Sequence, residues 1–191
     1  MRIISGRFKG RVIQMPKGIR PTSDKVREAL FDILKAHIKG ASFLDLYCGS
    51  GAVGIEAFSR GAERISFVDN NFKCIATLKK NLQSLEILDL SIIDIYKMDA
   101  LRSLTALEKS SMSFDIVFLD PPYYKNLAKN TLRAISNCDI LARNAIVVLE
   151  LYKKEKLPEK ARSLKKFRTS KYGDTKLVFF KYTDQRGSET N

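Results

Sequence analysis

The stretch that decides the fold is Phe43-Leu44-Asp45-Leu46-Tyr47-Cys48-Gly49-Ser50-Gly51-Ala52-Val53-Gly54. A short apolar run containing a carboxylate turns through glycines into a segment with helical spacing, which predicts a strand, a tight loop and a helix N-terminus. Gly49 and Gly51 have no Cβ, so the loop can adopt positive φ and a ligand can lie close to its backbone. We therefore predict the opening unit of a parallel α/β sheet that binds a nucleotide-like ligand.

The acid before the loop indicates which ligand this is. The spacing G-x-G-x-x-G also fits a nicotinamide dinucleotide, whose pyrophosphate a carboxylate at the strand end would repel. Asp45 instead suits a ligand that carries an ammonium group or hydroxyls. This favours S-adenosylmethionine, and the structural alternative is a buried strand with a glycine turn and a capping acid.

The positive charge of the chain is concentrated at its two ends. The 191 residues carry a formal net charge of +13. Residues 1–27 contribute +7 and residues 153–181 contribute +8, which leaves −2 for the rest of the chain. A solvated cationic surface is the plain explanation, but concentration at both ends favours a polyanionic partner, above all a nucleic acid.

Cysteine and histidine usage disfavours several classes of protein. His37 is the single histidine, which argues against histidine catalysis and against sites with several histidine ligands, so we expect no metal. The three cysteines lack zinc spacing and an even count, which predicts a reducing, cytoplasmic location.

No apolar run reaches membrane-spanning length and residues 1–6 do not read as a signal peptide. We expect a monomer that does not bind a membrane.

Strands and helices alternate along the chain after the glycine loop. Helical patterns separate five apolar runs, which predict strands at residues 43–46, 64–69, 91–95, 114–119 and 145–150. Parallel strands end at the same edge of a sheet, so acids at their carboxyl ends should meet in one crevice. These acids are Asp45, Asp69, Asp99 and Asp120.

The two ends of the chain lie outside this alternation. Residues 1–20 predict a hairpin that displays Arg7, Lys9 and Arg11, and Thr22 or Ser23 can cap the helix that follows. After residue 153 we predict a basic helix and then strands near residues 167–171 and 176–182. We therefore predict that the chain has three parts: an N-terminal basic extension over residues 1–22, a catalytic domain over residues 23–183 and a disordered tail over residues 184–191.

The fourth predicted strand runs into Asp120-Pro121-Pro122-Tyr123, which suits an exocyclic amine on a nucleobase. Two successive prolines fix φ and remove two donors, so an aspartate oxygen and a proline carbonyl form a rigid pair of acceptors. Such acceptors would orient the weakly nucleophilic nitrogen and disperse its developing positive charge. Tyr123 adds an aromatic face on which an extruded base could stack.

With these motifs in order, the chain resembles the bacterial RsmD family of class I S-adenosylmethionine-dependent methyltransferases. That family modifies the N2 amine of one guanine in small-subunit (16S) ribosomal RNA. The matching segments are residues 3–11, residues 20–31, residues 43–62 and residues 120–123. The resemblance implies a Rossmann-like sheet of seven strands, the last antiparallel to the others, with helices on both faces.

The resemblance also implies roles for individual residues. Asp45 and the glycine loop would hold the methionine end of S-adenosylmethionine, Asp69 the ribose and Asp99 the adenine amine. The complete predicted cofactor set is Asp45, Cys48, Gly49, Ser50, Gly51, Asp69, Asn70, Asp99 and Ala100. The predicted catalytic residues are Asp120, Pro121, Pro122 and Tyr123. The predicted RNA contacts are Arg7, Lys9, Arg11, Arg20, Thr22 and Arg27.

Three other functions stay open at this stage. An adenine-N6 methyltransferase acting on DNA or RNA would use the same Asp-Pro-Pro-Tyr tetrad. A nicotinamide-dependent oxidoreductase would use the same glycine loop, although the sequence shows no hydride-transfer acid or substrate clamp. A non-catalytic RNA-binding module is disfavoured because the strand-end acids and the tetrad are intact.

Overall fold

A computed structural model describes residues 1–16, 18, 22–87, 89, 91–122 and 126–183. Thirteen helices and strands occur in these residues. The helices are α1 (Asp24–Leu34), α2 (Ala52–Ser59), α3 (Phe72–Ser84), α4 (Ala100–Lys109) and α5 (Leu127–Ile135). The strands are β1 (Ser42–Leu46), β2 (Arg64–Asp69), β3 (Ile93–Lys97), β4 (Phe114–Leu119), β5 (Leu141–Tyr152), β6 (Lys160–Ala161), β7 (Leu164–Tyr172) and β8 (Thr175–Tyr182).

All the strands join in one sheet with the order β3-β2-β1-β4-β5-β8-β7-β6. The pairs from β3 to β5 are parallel, whereas β8 is antiparallel to both β5 and β7. The strand order reverses between β1 and β4, and in open α/β sheets ligands bind in the crevice at such a point. The topology therefore places the ends of β1 and β4, with Asp45 and Asp120, on the two sides of one crevice.

The central strands are buried on both faces, as parallel strands covered by helices must be. Successive side chains alternate between two separate apolar cores. Phe43 packs with α1, α2 and α3 on one face, whereas Leu44 packs with α4 and α5 on the other. In β4 the same alternation puts Phe118 in the first core and Leu119 in the second. This packing fixes the register of the strand ends that carry the site.

Two predictions about the C-terminal part were wrong, and the antiparallel last strand is confirmed. The described residues contain eight strands rather than seven, because β6 pairs with β7 as a short antiparallel hairpin. The basic helix predicted after residue 153 is absent from the described residues, and β6 and β7 occupy that part of the chain. Without β7, the side of β8 that faces away from β5 would be an unpaired edge. Pairing with β7 therefore outweighs the local helical preference of a Lys-rich stretch.

The N-terminal segment is a loop docked on α2 rather than a regular hairpin. Its antiparallel pairing is a single bridge between Arg2 and Val12. The carboxylate of Glu56, which is fully buried, accepts hydrogen bonds from the backbone N–H groups of Ile4 (2.8 Å) and Ser5 (3.0 Å). The domain division at residue 22 stays a prediction, and the predicted tail over residues 184–191 lies outside the described residues.

Candidate active site

A cavity of about 490 Å³ opens at the carboxyl ends of the parallel strands. It is lined by most of the residues that the sequence predicted for the cofactor and the target base. The lining residues from these two predicted sets are Asp45, Cys48, Gly49, Ser50, Asp69, Asn70, Asp120, Pro121 and Pro122. Thr22, which was predicted as an RNA contact, also lines the cavity. The structure therefore brings residues from four separate parts of the chain into one site.

Asp45 is a carboxylate buried beneath the glycine loop. Its side chain is 1% exposed, and Oδ2 accepts a hydrogen bond from the backbone N–H of Gly54 at 2.9 Å. Burial raises the pKa of Asp45 to about 7; the Gly54 hydrogen bond opposes this shift, and the nearby Asp69 charge adds to it. A Cβ at Gly54 would lie 2.3 Å from the ring of Phe67, so only glycine permits this close approach.

Asp69 braces the glycine loop from the neighbouring strand. Its Oδ2 accepts from the backbone N–H of Gly49 at 2.9 Å, and its Oδ1 accepts from that of Asn71 at 2.7 Å. Gly49 and Gly51 both have positive φ, as the sequence predicted. At Gly49 a Cβ would meet no protein atom within 4 Å, whereas at Gly51 it would lie 2.3 Å from the side chain of Leu78. Gly49 thus leaves space for a ligand, and Gly51 permits packing of the loop on α3.

Three members of the predicted cofactor set are not among the residues that line the cavity. Gly51 is the N-cap residue of α2 and faces the core. Asp99 is the N-cap of α4, where its Oδ1 accepts from the backbone N–H groups of Leu101 and Arg102 at 3.0 and 3.2 Å. Ala100 begins α4 and is buried. Asp99 thus caps α4 through Oδ1, and its predicted contact with the adenine amine stays a prediction.

The opposite side of the cavity is formed by the residues after β4. Pro121 is buried and Pro122 is exposed, and both line the cavity. The backbone N–H of Asp120 donates to the carbonyl of Leu46 at 3.4 Å, which ties this turn to the end of β1. Tyr123, the predicted stacking residue, lies outside the described residues.

Thr22 connects this turn to an acid that the sequence analysis missed. Its Oγ1 lies 2.9 Å from Oε2 of Glu150 and 3.4 Å from Oδ2 of Asp120. Glu150 lies in β5, is 4% exposed and lines the cavity. An acid within an otherwise apolar run was the signal that could have identified it, because carboxylates are rarely buried in a core strand without a role. Ser23, rather than Thr22, caps α1.

The N-terminal segment reaches the cavity through α3. Asn81, which is fully buried, donates to the carbonyls of Gln14 and Ser50 at 3.0 Å each and accepts from the backbone N–H of Gln14 at 2.7 Å. The hydroxyl of Ser50 lies 3.0 Å from the sulfur of Met15, which lines the cavity. The same segment therefore carries basic residues and contacts the glycine loop.

The predicted RNA contacts divide into exposed and buried residues. Arg7, Lys9 and Arg11 are all exposed. The Arg7 guanidinium lies over the rings of Phe8 and Phe58, 4.6 and 3.9 Å from their centroids, and partial burial lowers its pKa. Arg11 donates to the carbonyl of Ser84 at 2.6 Å.

The assignment of Arg27 to RNA is wrong. Its side chain is fully buried and donates to the carbonyl of Arg2 at 2.6 Å and to Asp24 at 3.0 Å. Helical spacing turns this position of α1 toward the docked N-terminal loop, so Arg27 supports that loop from inside. Arg20 lies outside the described residues.

The described ranges contain neither a candidate metal centre nor a candidate membrane-spanning helix. Among those residues, no group of three or more His, Cys, Asp or Glu side chains could hold a metal ion. None of the described helices is long and apolar enough to cross a membrane.

The parallel sheet with its antiparallel β8, helices on both faces and an acid-lined cavity at the reversal of strand order define a class I methyltransferase fold. Residues 1–181 match the model of the family described as conserved hypothetical protein 95, Cons_hypoth95. The chain belongs to this family, the RsmD family, which confirms the resemblance found in the sequence.

Similarity to individual proteins extends over most of the chain. YlbH of Bacillus subtilis is 40% identical over 183 residues, which cover 95% of this chain and 98% of YlbH. Ribosomal RNA small subunit methyltransferase D of Escherichia coli K12 is 33% identical over 160 residues, covering 83% of this chain and 78% of that protein. The solved structure of yhhF from Escherichia coli matches with a TM-score of 0.84 at 30% identity, covering 97% of this chain and 99% of that one.

Proposed function

We propose that this protein transfers a methyl group from S-adenosylmethionine to the N2 amine of one guanine in small-subunit (16S) ribosomal RNA. The observation that carries the proposal is the cavity itself, which has Asp45 and Asp69 on one side and the Asp120-Pro121-Pro122 turn on the other. The name of the Escherichia coli relative, ribosomal RNA small subunit methyltransferase D, supports the same substrate.

The residues on the β1 and β2 side of the cavity fit S-adenosylmethionine. The Asp45 carboxylate suits its ammonium group, the Asp69 carboxylate suits its ribose hydroxyls, and the open space at Gly49 admits a ligand close to the backbone. Cys48, Ser50 and Asn70 line the same side. When bound, S-adenosylmethionine supplies an activated methyl group, because the bond from the methyl carbon to sulfur breaks with its electron pair staying on sulfur.

The residues after β4 orient the amine that accepts the methyl group. A guanine N2 lone pair is delocalised into the ring, so two acceptors that hold its N–H bonds favour the geometry in which that lone pair points away from them. The Asp120 carboxylate and a carbonyl of the Pro121-Pro122 turn supply these acceptors. The carboxylate also stabilises the positive charge that develops on nitrogen and takes up the proton that N2 then releases.

The exposed basic residues of the N-terminal loop bind the phosphates of the RNA. The loop that carries Arg7, Lys9 and Arg11 is held on α2 by its backbone hydrogen bonds to Ser59, and the Arg11 side chain contacts Ser84 of α3. Phosphate contacts set the position and the salt dependence of binding, whereas the cavity selects the base. The partner is the ribosomal RNA, free or within the small subunit or an assembly intermediate.

The decisive experiment maps methyl groups in ribosomal RNA from a strain that lacks this protein. If the proposed function is right, small-subunit RNA from this strain lacks a single N2-methylguanine. The purified protein with S-adenosylmethionine should restore that methyl group. Loss of an N6-methyladenine would support the adenine alternative. Unchanged methylation together with calorimetric binding of NAD in place of S-adenosylmethionine would reject the methyltransferase assignment.

The raised pKa of Asp45 predicts that cofactor affinity depends on pH. Below its pKa of about 7 the ligand-free protein holds a proton on Asp45, whereas an ammonium ligand favours the carboxylate. Binding of S-adenosylhomocysteine should therefore release a proton. Its affinity should rise between pH 5.5 and 7, by up to about tenfold per pH unit, and should level off above pH 7.

Calorimetry in buffers with different ionisation enthalpies measures both the affinity and the released proton. The Asp45→Asn protein has no ionisable group at this position and should bind weakly with little pH dependence over the same range. Equal slopes for the wild-type and Asn proteins would show that Asp45 does not contact the ammonium group.

A further inference from the structure

Glu150 and Asp120 lie side by side, each one residue past the last register pair of β4 and β5. Leu119 of β4 and Leu149 of β5 are partners in the parallel register, so the residue after each of them is an acid at the same level of the sheet. Phe118 and Val148, two positions before these acids, both pack in the core cluster on the α1, α2 and α3 face. Alternation along the strands therefore directs both acids to that face, where both line the cavity.

Thr22 confirms that the two carboxylates share one space. A single hydroxyl has Glu150 at 2.9 Å and Asp120 at 3.4 Å, and its one proton can serve only one of them at a time. Glu150 is 4% exposed, and its register partner across the sheet in β8 is Leu177. Because both acids line the cavity, a base bound there would meet two adjacent carboxyl groups rather than Asp120 alone.

We propose that Glu150 determines the specificity for guanine by accepting the N1–H of the base whose amine Asp120 holds. The inference rests on the proposed function and deepens it. On the Watson–Crick edge of guanine, the N2 amine adjoins N1–H, so these two neighbouring groups are both donors. In adenine the N6 amine adjoins an unprotonated N1. Carboxylate oxygens accept hydrogen bonds, so a pair of adjacent carboxylates matches the two neighbouring donors of guanine and repels the N1 lone pair of adenine.

The base 2-aminopurine tests this reading of N1 because it keeps the 2-amine and lacks the proton on N1. It also lacks O6, so a comparison of the wild-type protein with a Glu150 variant assigns the effect to N1–H. The substrate is small-subunit RNA, in the form that the wild-type protein methylates, with 2-aminopurine in place of the methylated guanine. Wild-type protein should prefer guanine by about 10- to 100-fold in kcat/KM, the effect of losing one hydrogen bond to a charged acceptor. Equal kcat/KM values of the wild-type protein on guanine and on 2-aminopurine would by themselves overturn the proposal.

The variant Glu150→Gln should reduce this preference to about threefold or less, because an amide can donate to an unprotonated N1 as well as accept from N1–H. Thr22→Val is the matched control, since it removes the hydroxyl shared by the acids and leaves Glu150 in place. It should keep the wild-type preference at whatever rate it retains. A positioning role through Thr22 would instead make the Val and Gln variants lose preference alike.

The outcomes separate this inference from the proposed function. If wild-type protein methylates no guanine in small-subunit RNA, the proposed function fails. If it methylates guanine and Glu150→Gln keeps the full preference over 2-aminopurine, only the role of Glu150 fails.

Discussion

Replacement of Asp120 by Asn is expected to lower the rate of methyl transfer by about two to three orders of magnitude, comparable to removing one preorganised transition-state hydrogen bond. The amide keeps the size of the side chain and one acceptor oxygen. It loses the negative charge that stabilises the developing positive charge on the amine, and it can turn its NH2 toward the base. The loss should appear in single-turnover measurements with saturating S-adenosylmethionine and RNA.

The affinity for RNA should change little in the Asp120→Asn protein, since phosphate contacts dominate it. Asp115→Asn is a matched control, because Asp115 lies on the same strand at the opposite end and accepts from the backbone N–H of Ser42 at 2.9 Å. That control should retain the wild-type rate. A near wild-type rate in the Asp120→Asn protein would reduce Asp120 to an ordinary acid at a strand end.

Replacement of Gly6 by Ala should detach the N-terminal loop and strongly weaken RNA binding. Gly6 has a φ of +82°, and a Cβ there would lie 1.8 Å from the backbone oxygen of Ser59, which cannot move without distorting α2. Displacing the loop breaks the hydrogen bonds that join Ser59 to the backbone of Ser5, Arg7 and Phe8. We expect the free energy of unfolding to fall by about 3 kcal/mol, from three hydrogen bonds at about 1 kcal/mol each.

Gly10→Ala provides the matched control for backbone strain. Gly10 has the same φ of +82°, but a Cβ there would meet no atom within 4 Å. Only the left-handed conformation is then penalised, by about 1–2 kcal/mol. Denaturant unfolding should separate the two variants, and RNA binding at several salt concentrations should show a reduced salt slope for Gly6→Ala alone. Equal salt slopes for the Gly6→Ala and Gly10→Ala proteins would contradict the prediction that Arg7, Lys9 and Arg11 contact RNA phosphates.

The docked loop also links its exposed basic residues to the glycine-loop side of the cavity. Asn81 joins the backbone of Gln14 to the carbonyl of Ser50, and Met15 lines the cavity beside Ser50. The wall of the cavity near the glycine loop is thus built partly by residues that precede the catalytic domain predicted to begin at residue 23. This arrangement follows from two buried polar side chains, Glu56 and Asn81, that satisfy backbone groups of the loop.

The sequence by itself determined the features that depend on local pattern. The glycine loop, the helix after it and the run of β4 into Asp120 follow from turn chemistry and apolar periodicity, which act within a few residues. The reversal of strand order then had to bring Asp45 and Asp120 together, because both lie at the carboxyl ends of neighbouring parallel strands. The family resemblance rested on these segments together with residues 3–11 and 20–31.

Only the tertiary structure decided which polar residues face the site. Arg27 and Thr22 belong to the same basic, polar stretch, yet Arg27 points into the docked loop and Thr22 meets Asp120 and Glu150. Glu150 follows an apolar run whose spacing shows a strand but not which neighbour it pairs with. That neighbour is set by long-range packing of β5 between β4 and β8, since the period of a strand fixes a face and leaves its partners open.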